Sequence, residues 1–237
     1  MSSKGGNRHL KKMAAPKSWN VERKDVVWIA KPRAGPHSLK GSMPLTTILT
    51  IVLKKADNAK ESERLIKSSE VFVDGRVVKD PKFAVGFMDV LSFPRTKEQY
   101  IVIYDNHGRL KLQELEKPQS YKLCRIEKKT VVKGNKKQIG LHDGRTQLVD
   151  KEYKTGDVVK LSLPEQKIIE HLEFKKGMLA YVMGGQHAGK IAKIKEEIPG
   201  TATREALVVM EKEGEAFNAP RRYLFIIGKD KPEITIV

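Results

Sequence analysis

Apolar positions between residues 44 and 104 follow two different periods in succession. The first set recurs at helical spacing and consists of Leu45, Ile48, Leu49, Val52, Leu53 and Ala56. Pro44 suits the start of this helix, and Asn58 can cap a second helix that begins at Ala59. The period then becomes two over residues 71–78, around the turn Asp74-Gly75, which is a strong hairpin signal. The pattern therefore predicts a helix–helix–hairpin unit.

Short apolar segments separated by turn residues fill the rest of the chain. The predicted strands are residues 89–93, 100–104, 109–115, 121–132, 138–141, 146–149, 158–163, 167–173, 178–183, 189–195, 206–211, 222–227 and 234–237. Strands spaced by about 8–12 residues are typical of small barrels and sandwiches. We therefore predict an α+β fold that is mostly β, with a small helix–helix–hairpin module, a central small β-barrel-like domain and a C-terminal β unit. The predicted segments are 1–41, 42–104, 105–173 and 174–237.

Residues 1–41 form a basic leader that differs from the rest of the chain. They contain ten Lys or Arg residues and two acidic residues, which gives the leader a net charge of +8. Prolines and glycines break any long helix in this segment. Trp19, Trp28 and their apolar neighbours are costly to leave in water. We expect a tail that is flexible at its tip, docks through its tryptophans and lays its basic residues on phosphate.

The net charge of +17 and the pI of about 9.8 indicate an anionic partner. Lys and Arg release condensed counterions from phosphates, so this balance is typical of nucleic-acid binding, although an anionic membrane or an acidic protein would also suit it. No apolar run approaches the ~18–20 residues that span a bilayer, and the N-terminus lacks the apolar stretch of a secretory signal. The single cysteine, Cys124, is expected to be a buried structural thiol in a reducing, cytoplasmic setting.

The helix–hairpin unit offers enough cations to form a basic groove. These cations are Lys54, Lys55, Lys60, Arg64, Lys67, Arg76, Lys79 and Lys82. RNA helices are recognised mainly by shape, phosphates and 2′-hydroxyls, so such a groove needs positive charge more than side chains that read bases. Ordinary solvated charge on the surface of a small domain is the alternative interpretation.

No motif in the sequence defines a catalytic site. Residues 184–190 match the first seven positions of a phosphate-binding loop, but Ile191 replaces the Ser or Thr that would bind Mg²⁺. The residues after this loop alternate like a strand, whereas a phosphate-binding loop opens a helix. His142-Asp143 is interpreted as a turn, and the six histidines and one cysteine show no metal-ligand spacing. We therefore expect no cofactor and no metal, and we expect the carboxylates to pair with lysines at the surface.

Six sequence blocks follow one another in a specific order. They are HLKKMAAPKSW at 9–19, GPHSL at 35–39, AVGFMDV at 84–90, YKLC at 121–124, VMGG at 182–185 with GKI at 189–191, and FIIGK at 225–229. Together they resemble the family of archaeal and eukaryotic small-subunit ribosomal protein S4e, and the resemblance covers essentially the whole chain. Any one block would be modest support, but six blocks in order make coincidence a poor explanation.

The resemblance implies more than the spacing alone predicts. It implies an S4-type RNA-binding domain over residues 44–104 and a KOW motif in an SH3-like barrel over residues 174–215, with Gly185, Gly189 and Lys190 at its loop. It also implies a structural role and binding to ribosomal RNA in the body of the small subunit. Eukaryotic relatives carry a further basic tail beyond the position where this chain stops, so an archaeal-type protein is expected.

We therefore predict a non-enzymatic constituent of the small ribosomal subunit in the cytoplasm. Its expected partners are ribosomal RNA and neighbouring ribosomal proteins, and it is expected to be a monomer off the ribosome. The alternatives are a KOW-bearing factor that acts transiently on the ribosome and, with less support, an RNA-modifying enzyme. The predicted RNA-contacting residues are His9, Lys11, Lys12, Lys17, Arg33, His37, Lys40, Lys54, Lys55, Arg64, Lys67, Arg76, Lys79, Gly185, His187, Gly189 and Lys190. Changing both Lys11 and Lys12 to Glu is expected to weaken RNA binding without unfolding, because neither belongs to a predicted core.

Overall fold

The computed structural model describes residues 9–116, 118–201, 203–212, 214–229 and 231–234. The chain forms two compact units, one comprising Met1–Val102 with Arg109–Glu114 and the other Ile103–Gly108 with Leu115–Val237. Most of the regular structure is β, with few helices. The predicted flexible tip falls on residues 1–8, which lie outside the described residues. Within the described ranges, no helix has the length and apolar character needed to cross a membrane.

The leader docks on the first unit through one of its two tryptophans. β1 (Leu10–Lys11) and β2 (Trp28–Ile29) form an antiparallel ribbon, and a 3-10 turn, Lys12–Ala14, follows β1. Trp19 is only 2% exposed and bridges to Leu110, which confirms that it docks. Trp28 is 57% exposed, so the expectation that it docks is wrong. Its position opposite Lys11 explains this, because the two residues share the outer face of a ribbon that is only two strands wide.

The helical segment is less regular than its apolar spacing predicts. Its elements are a 3-10 turn (Leu39–Gly41), β3 (Ser42–Pro44), α1 (Leu45–Thr47), a π-helical turn (Ile48–Val52) and α2 (Ala59–Lys67). The Thr50 hydroxyl donates a hydrogen bond to the Thr46 carbonyl at 2.9 Å, a local bond that tends to bend helices. The cap on α2 is confirmed, because the backbone N–H of Glu61 donates to the Asn58 side chain at 3.0 Å.

Five strands of the first unit form one sheet in the order β5-β4-β7-β8-β9, while β3 pairs separately with β6. The bounds of the strands are β4 (Phe72–Val73), β5 (Arg76–Val77), β6 (Ala84–Gly86), β7 (Val90–Phe93), β8 (Glu98–Tyr104) and β9 (Leu110–Glu114). The predicted hairpin is confirmed, since Asp74 and Gly75 both have positive φ, at 51° and 73°. Leu49, Ile66 and Leu91 are fully buried in the core of this unit.

The central region contains a five-stranded antiparallel sheet in the order β12-β11-β10-β13-β14. The strands are β10 (Tyr121–Val132), β11 (Lys136–Leu141), β12 (Thr146–Val149), β13 (Val158–Ser162) and β14 (Ile168–Leu172). The first half of β10 pairs with β13 and its second half pairs with β11, with a register shift between Ile126 and Lys128. Cys124 lies in the hydrophobic core between these strands, as predicted for a structural thiol.

The C-terminal region contains a second five-stranded antiparallel sheet, in the order β18-β17-β16-β15-β19. Its elements are β15 (Leu179–Val182), β16 (Ile191–Ile198), β17 (Leu207–Lys212), β18 (Glu215–Pro220), a 3-10 turn (Arg221–Tyr223) and β19 (Leu224–Gly228). β19 returns to pair with β15, and its five residues are all buried. The predicted final strand at 234–237 falls largely on residues 235–237, which lie outside the described residues.

Candidate nucleic-acid interface

Lys12 holds the leader together from the inside. Its side chain is only 1% exposed, and its ammonium pairs with the carboxylate of Asp25 at 2.8 Å. Its backbone N–H donates to the Val27 carbonyl at 2.9 Å, so one residue fixes both ends of the segment 25–27. The prediction that Lys12 lies outside any core is therefore wrong. An apolar spacing pattern gives no sign of a buried lysine, since the ammonium is tolerated only because Asp25 pairs with it.

The double substitution of Lys11 and Lys12 would therefore mix two effects. A carboxylate at position 12 would be buried beside the like charge of Asp25, so the variant with Lys12→Glu should lose stability as well as RNA affinity. Lys11 is exposed, and Lys11→Glu alone should weaken RNA binding severalfold and leave the unfolding midpoint in urea unchanged. Unchanged affinity for ribosomal RNA in this single variant would remove Lys11 from the interface.

His37 is also an internal residue rather than a surface contact. Its side chain is 6% exposed, and its Nε2 lies 2.9 Å from a carboxylate oxygen of Asp89. The same oxygen accepts the backbone N–H of Gly86 at 2.8 Å. A Cβ at Gly86 would lie 2.4 Å from Cγ of His37, so only glycine fits beneath the imidazole. Two of the recognised sequence blocks, 35–39 and 84–90, therefore pack against each other through these side chains.

The other predicted cations of the leader and the helix–hairpin module lie mostly at the surface. The exposed ones are His9, Lys11, Lys17, Arg33, Lys40, Lys54, Arg64, Lys67, Arg76 and Lys79. Arg64 and Lys67 of α2 follow Lys60 at helical spacing, so the three cations share one face. Two of these cations form ion pairs within the protein: Lys67 pairs with Glu63 at 2.7 Å, and Arg33 pairs with Asp80 at 3.0 Å. Lys55 is half-buried, pairs with Glu98 and lies 4.4 Å above the Phe93 ring.

The loop 184–191 is a hairpin connection and not a nucleotide-binding loop. It joins β15 to β16, and the backbone N–H of Gly189 donates to the Val182 carbonyl at 2.8 Å. The absence of a following helix agrees with the sequence interpretation. His187 stacks on the Phe217 ring at 4.2 Å, and Lys190 is exposed with its ammonium 3.4 Å from Nδ1 of His187. A cation beside a supported imidazole suits contact with phosphate and base together.

The two predicted loop glycines have different surroundings. Gly185 is exposed with a φ of +89°, and only a glycine adopts this conformation without strain. Gly189 has a φ of +77°, and a Cβ there would lie 2.9 Å from the backbone nitrogen of Asn106. The backbone of residues 105–106 therefore fills the space beside Gly189. Its glycine is required for this close packing inside the protein, and Gly185 remains the glycine that a ligand can approach.

The β10–β11 hairpin is the basic surface that sequence reasoning missed. Residues 128–137 contain five lysines and no acidic residue, namely Lys128, Lys129, Lys133, Lys136 and Lys137. Three residues, Lys133, Gly134 and Asn135, connect the two strands, and Gly134 and Asn135 both have positive φ, at 80° and 57°, as is common in short hairpin loops. All five lysines except Lys137 are exposed, and Lys137 pairs with Glu152 at 2.7 Å. The five lysines are visible in the sequence, but the alternating pattern of residues 121–132 predicts only a strand.

The pairing register of β10 and β11 shows on which faces of the ribbon the lysines lie. Val132 pairs with Lys136 and Val131 with Lys137, so lysines lie on both faces near the tip. The aliphatic stem of Lys128 lies over Gly140, because a Cβ at that glycine would be 2.7 Å from Cγ of the lysine. Within the described part of the chain, Lys128, Lys133 and Lys136 have no carboxylate partner. The ribbon therefore carries charge that is available to an outside anion.

A buried ion pair joins the start of β10 to the turn after β11, contrary to the expectation that carboxylates pair only at the surface. The Lys122 ammonium lies 3.2 Å from the Asp143 carboxylate, and the two side chains are 0% and 1% exposed. Burial by itself would raise the pKa of Asp143, but the charge of Lys122, with contributions from His142 and Arg145, lowers it below its usual value. Asp143 also accepts the Arg145 backbone N–H at 3.2 Å, so the predicted turn at His142-Asp143 is anchored by this carboxylate.

A cleft in the second unit is also lined by arginines, but most of these arginines pair with carboxylates of the protein itself. Arg125, Arg221 and Arg222 line it together with Phe174. Arg221 pairs with Glu197 at 2.6 Å and lies 4.8 Å above the Phe174 ring. Arg222 pairs with Glu205 at 2.8 Å. This cleft is therefore a weaker anion site than the β10–β11 hairpin. Among the described residues, no group of three His, Cys, Asp or Glu side chains is placed to hold a metal.

The β-rich fold and its exposed basic surfaces are typical of a class of proteins that bind a large anion. Comparison with known proteins identifies the family. Family models match as Ribosomal family S4e over residues 96–168, the RS4NT domain over 4–40 and the S4 domain over 43–91. Small ribosomal subunit protein eS4 of Methanococcus vannielii is 42% identical over 245 residues, covering all of both chains. The eS4 protein of Methanothermobacter thermautotrophicus is 44% identical and covers 100% of this chain and 98% of its own.

A solved structure agrees with these matches. The crystal structure of 30S ribosomal protein S4e from Thermoplasma acidophilum aligns with a TM-score of 0.70 at 35% identity. The alignment covers 83% of this chain and 99% of the crystallised one. The chain therefore belongs to the S4e family of ribosomal proteins.

Proposed function

We propose that the chain is a structural constituent of the small ribosomal subunit that binds ribosomal RNA and supports subunit assembly and translation in the cytoplasm. Its family is structural, and the chain is not an enzyme. The observation that carries the proposal of direct RNA contact is the β10–β11 ribbon, which has exposed lysines on both faces. Among the residues that the structure describes, Lys128, Lys133 and Lys136 have no carboxylate partner. An RNA-binding surface of this kind neutralises phosphates and needs no pocket for a base.

Two further surfaces are part of the proposed interface. The first is the leader, with His9, Lys11, Lys17, Arg33 and Lys40 exposed. The second is the helix–hairpin module, which the S4 domain model covers and in which Arg64 and Lys67 follow Lys60 along one face of α2. The cations there are long side chains that reach phosphate oxygens, and α2 is amphipathic, with Ser62 and Ile66 buried on its other side. Lys12 and His37 support this interface from within, because both are buried.

The C-terminal sheet is proposed to be a KOW-type SH3-like barrel over residues 174–237. Support comes from its five antiparallel strands, from the return of β19 to pair with β15, and from the glycine-rich loop between β15 and β16. In this proposal, Gly185 lets RNA backbone approach the loop, while His187 and Lys190 supply the ring and the charge. Gly189 keeps the loop in place against residues 105–106.

The division into segments 1–41, 42–104, 105–173 and 174–237 is also proposed. The two compact units support it in outline, since the leader and most of the helix–hairpin module belong to the first unit and the later two five-stranded sheets belong to the second. The boundary at 104/105 differs from the units, because Arg109–Glu114 belongs to the first unit. Each of the last two segments has its own five-stranded sheet. Neighbouring ribosomal proteins are the proposed protein partners, and the free chain is proposed to be a monomer that needs no cofactor.

Sedimentation of cell lysate through a sucrose gradient in high salt tests this function. A structural component should remain with the small subunit, because many contacts with folded RNA and its neighbours must break at once. A factor that visits the ribosome transiently should wash off and remain at the top of the gradient. Recovery of the chain only in the top fractions would overturn the structural role and favour the transient factor. Detection of modified bases in RNA incubated with the pure protein would instead favour an enzyme.

A further inference from the structure

Trp28 presents its indole to solvent beside a lysine. The register of the leader ribbon pairs Trp28 directly with Lys11, and opposed residues of an antiparallel pair project from the same face. The ring of His9 lies 5.7 Å from the indole, centroid to centroid, at an interplanar angle of 59°. The indole is therefore bordered by an imidazole and by an exposed ammonium, while 57% of its residue surface stays open to solvent.

The segment that carries Trp28 is held in place from below. The buried ammonium of Lys12 pairs with Asp25 at 2.8 Å, and the Lys12 backbone N–H bonds to the Val27 carbonyl at 2.9 Å. The guanidinium of Arg23 donates to the Met13 carbonyl at 3.3 Å. These contacts fix the backbone of residues 23–27, which lead directly to Trp28. A ligand that binds the indole therefore need not order this segment first.

The charges beside the indole favour RNA over an apolar protein surface, although Val26 and Val27 on the same segment are also exposed. Lys11 is directly opposite Trp28, and Lys24 is exposed on the same segment. A hydrophobic partner that covered the indole would bury the Lys11 ammonium without a counter-charge, which is costly. A nucleotide avoids this cost, because its base stacks on the ring while its phosphate neutralises the lysine. Asp25 does not compete for that lysine, since it is paired with Lys12.

We propose that Trp28 is a stacking platform for an unpaired base of ribosomal RNA, with Lys11 holding the adjacent phosphate. This proposal rests on the proposed function, namely that the chain binds ribosomal RNA. The base is one in a loop, bulge or junction, because bases inside a helix are already stacked on their neighbours. Its identity is not selected, since every base offers a π-face to the ring.

Tryptophan fluorescence tests the proposal directly, because the chain has only two tryptophans and Trp19 is buried. The full chain and its Trp28→Phe variant are titrated with small-subunit ribosomal RNA, and the difference between their emission spectra reports Trp28. Stacking should quench this difference signal at the RNA concentration at which binding saturates. The remaining Trp19 emission in Trp28→Phe should change little.

Affinity measurements with two matched variants separate stacking from simple apolar contact. Trp28→Phe keeps an aromatic face and should bind within about threefold of the parent, whereas Trp28→Leu keeps only apolar bulk and should bind about tenfold more weakly. Parent-like affinity of Trp28→Leu, or an unquenched Trp28 signal in a saturated complex, would overturn the stacking proposal and leave the proposed function intact. Absence of any RNA binding by the parent would overturn both.

Discussion

Replacing Asp143 by Asn should destabilise the protein by about 3–5 kcal/mol, because its carboxylate pairs both with the buried Lys122 ammonium at 3.2 Å and with Arg145 at 3.3 Å. Lys122→Met should cost less, because Asp143 keeps its contact with Arg145. Lys122→Met and Asp143→Asn keep the approximate volume of each site and remove its charge. Urea unfolding followed by circular dichroism measures the loss. The double variant should lose less than the sum of the two single variants, because the Lys122–Asp143 attraction is counted in both single variants but is lost only once.

A solvent-exposed pair provides the matched control for this experiment. Lys167 and Glu165 lie 2.8 Å apart, but their side chains are 78% and 63% exposed. Exposed pairs contribute little, so Lys167→Met should leave the unfolding midpoint almost unchanged. If Lys122→Met were as mild as Lys167→Met, the buried pair would have no special role in the stability of the central sheet.

Removing three exposed lysine charges from the β10–β11 ribbon should weaken RNA binding about one hundredfold at moderate salt. The variant combines Lys128→Gln, Lys133→Gln and Lys136→Gln, and the estimate takes about 1 kcal/mol for each lost phosphate contact. The unfolding midpoint should not change, because these three side chains are exposed. Equilibrium titration with small-subunit ribosomal RNA measures the affinity.

Three other lysines of the same unit control for net charge. Lys175, Lys176 and Lys195 are exposed, but each already pairs with a glutamate, namely Glu173, Glu196 and Glu211 respectively. Changing these three to Gln lowers the net charge by the same amount as the ribbon variant. The control should bind RNA several times more tightly than the ribbon variant. Equal losses in the two variants would mean that overall charge, and not the ribbon, determines affinity.

Much of the architecture follows from local sequence signals. The strand over residues 121–132 occurs at its predicted bounds, and the turn at Asp74-Gly75 and the cap at Asn58 are confirmed. These signals are local, because a turn, a cap or an alternating strand depends on residues close together in sequence. Short strands such as β3 and β6 escaped prediction, since their pairing joins segments about forty residues apart.

The functional surface was less predictable for a related reason. Whether a lysine points outward depends on which carboxylate lies near it in the folded chain. Lys12 and Lys122 are buried because Asp25 and Asp143 pair with them, and nothing in their spacing reveals those partners. The Trp28 side chain is exposed to solvent because the β1–β2 ribbon that carries it has only two strands. The lysine-rich hairpin could have been recognised from its sequence, since its five lysines flank a Gly-Asn turn without any acidic residue.

Direct binding to ribosomal RNA through phosphate contacts is the central claim, and the salt dependence of affinity tests it most directly. The affinity of the full chain for small-subunit ribosomal RNA is measured over a series of salt concentrations, with an unrelated RNA of equal length as reference. The logarithm of the binding constant should fall linearly with the logarithm of salt concentration, by roughly 0.7–0.9 for each neutralised phosphate, and the small-subunit RNA should remain preferred. An affinity that barely changes with salt, or equal binding to both RNAs, would contradict this account.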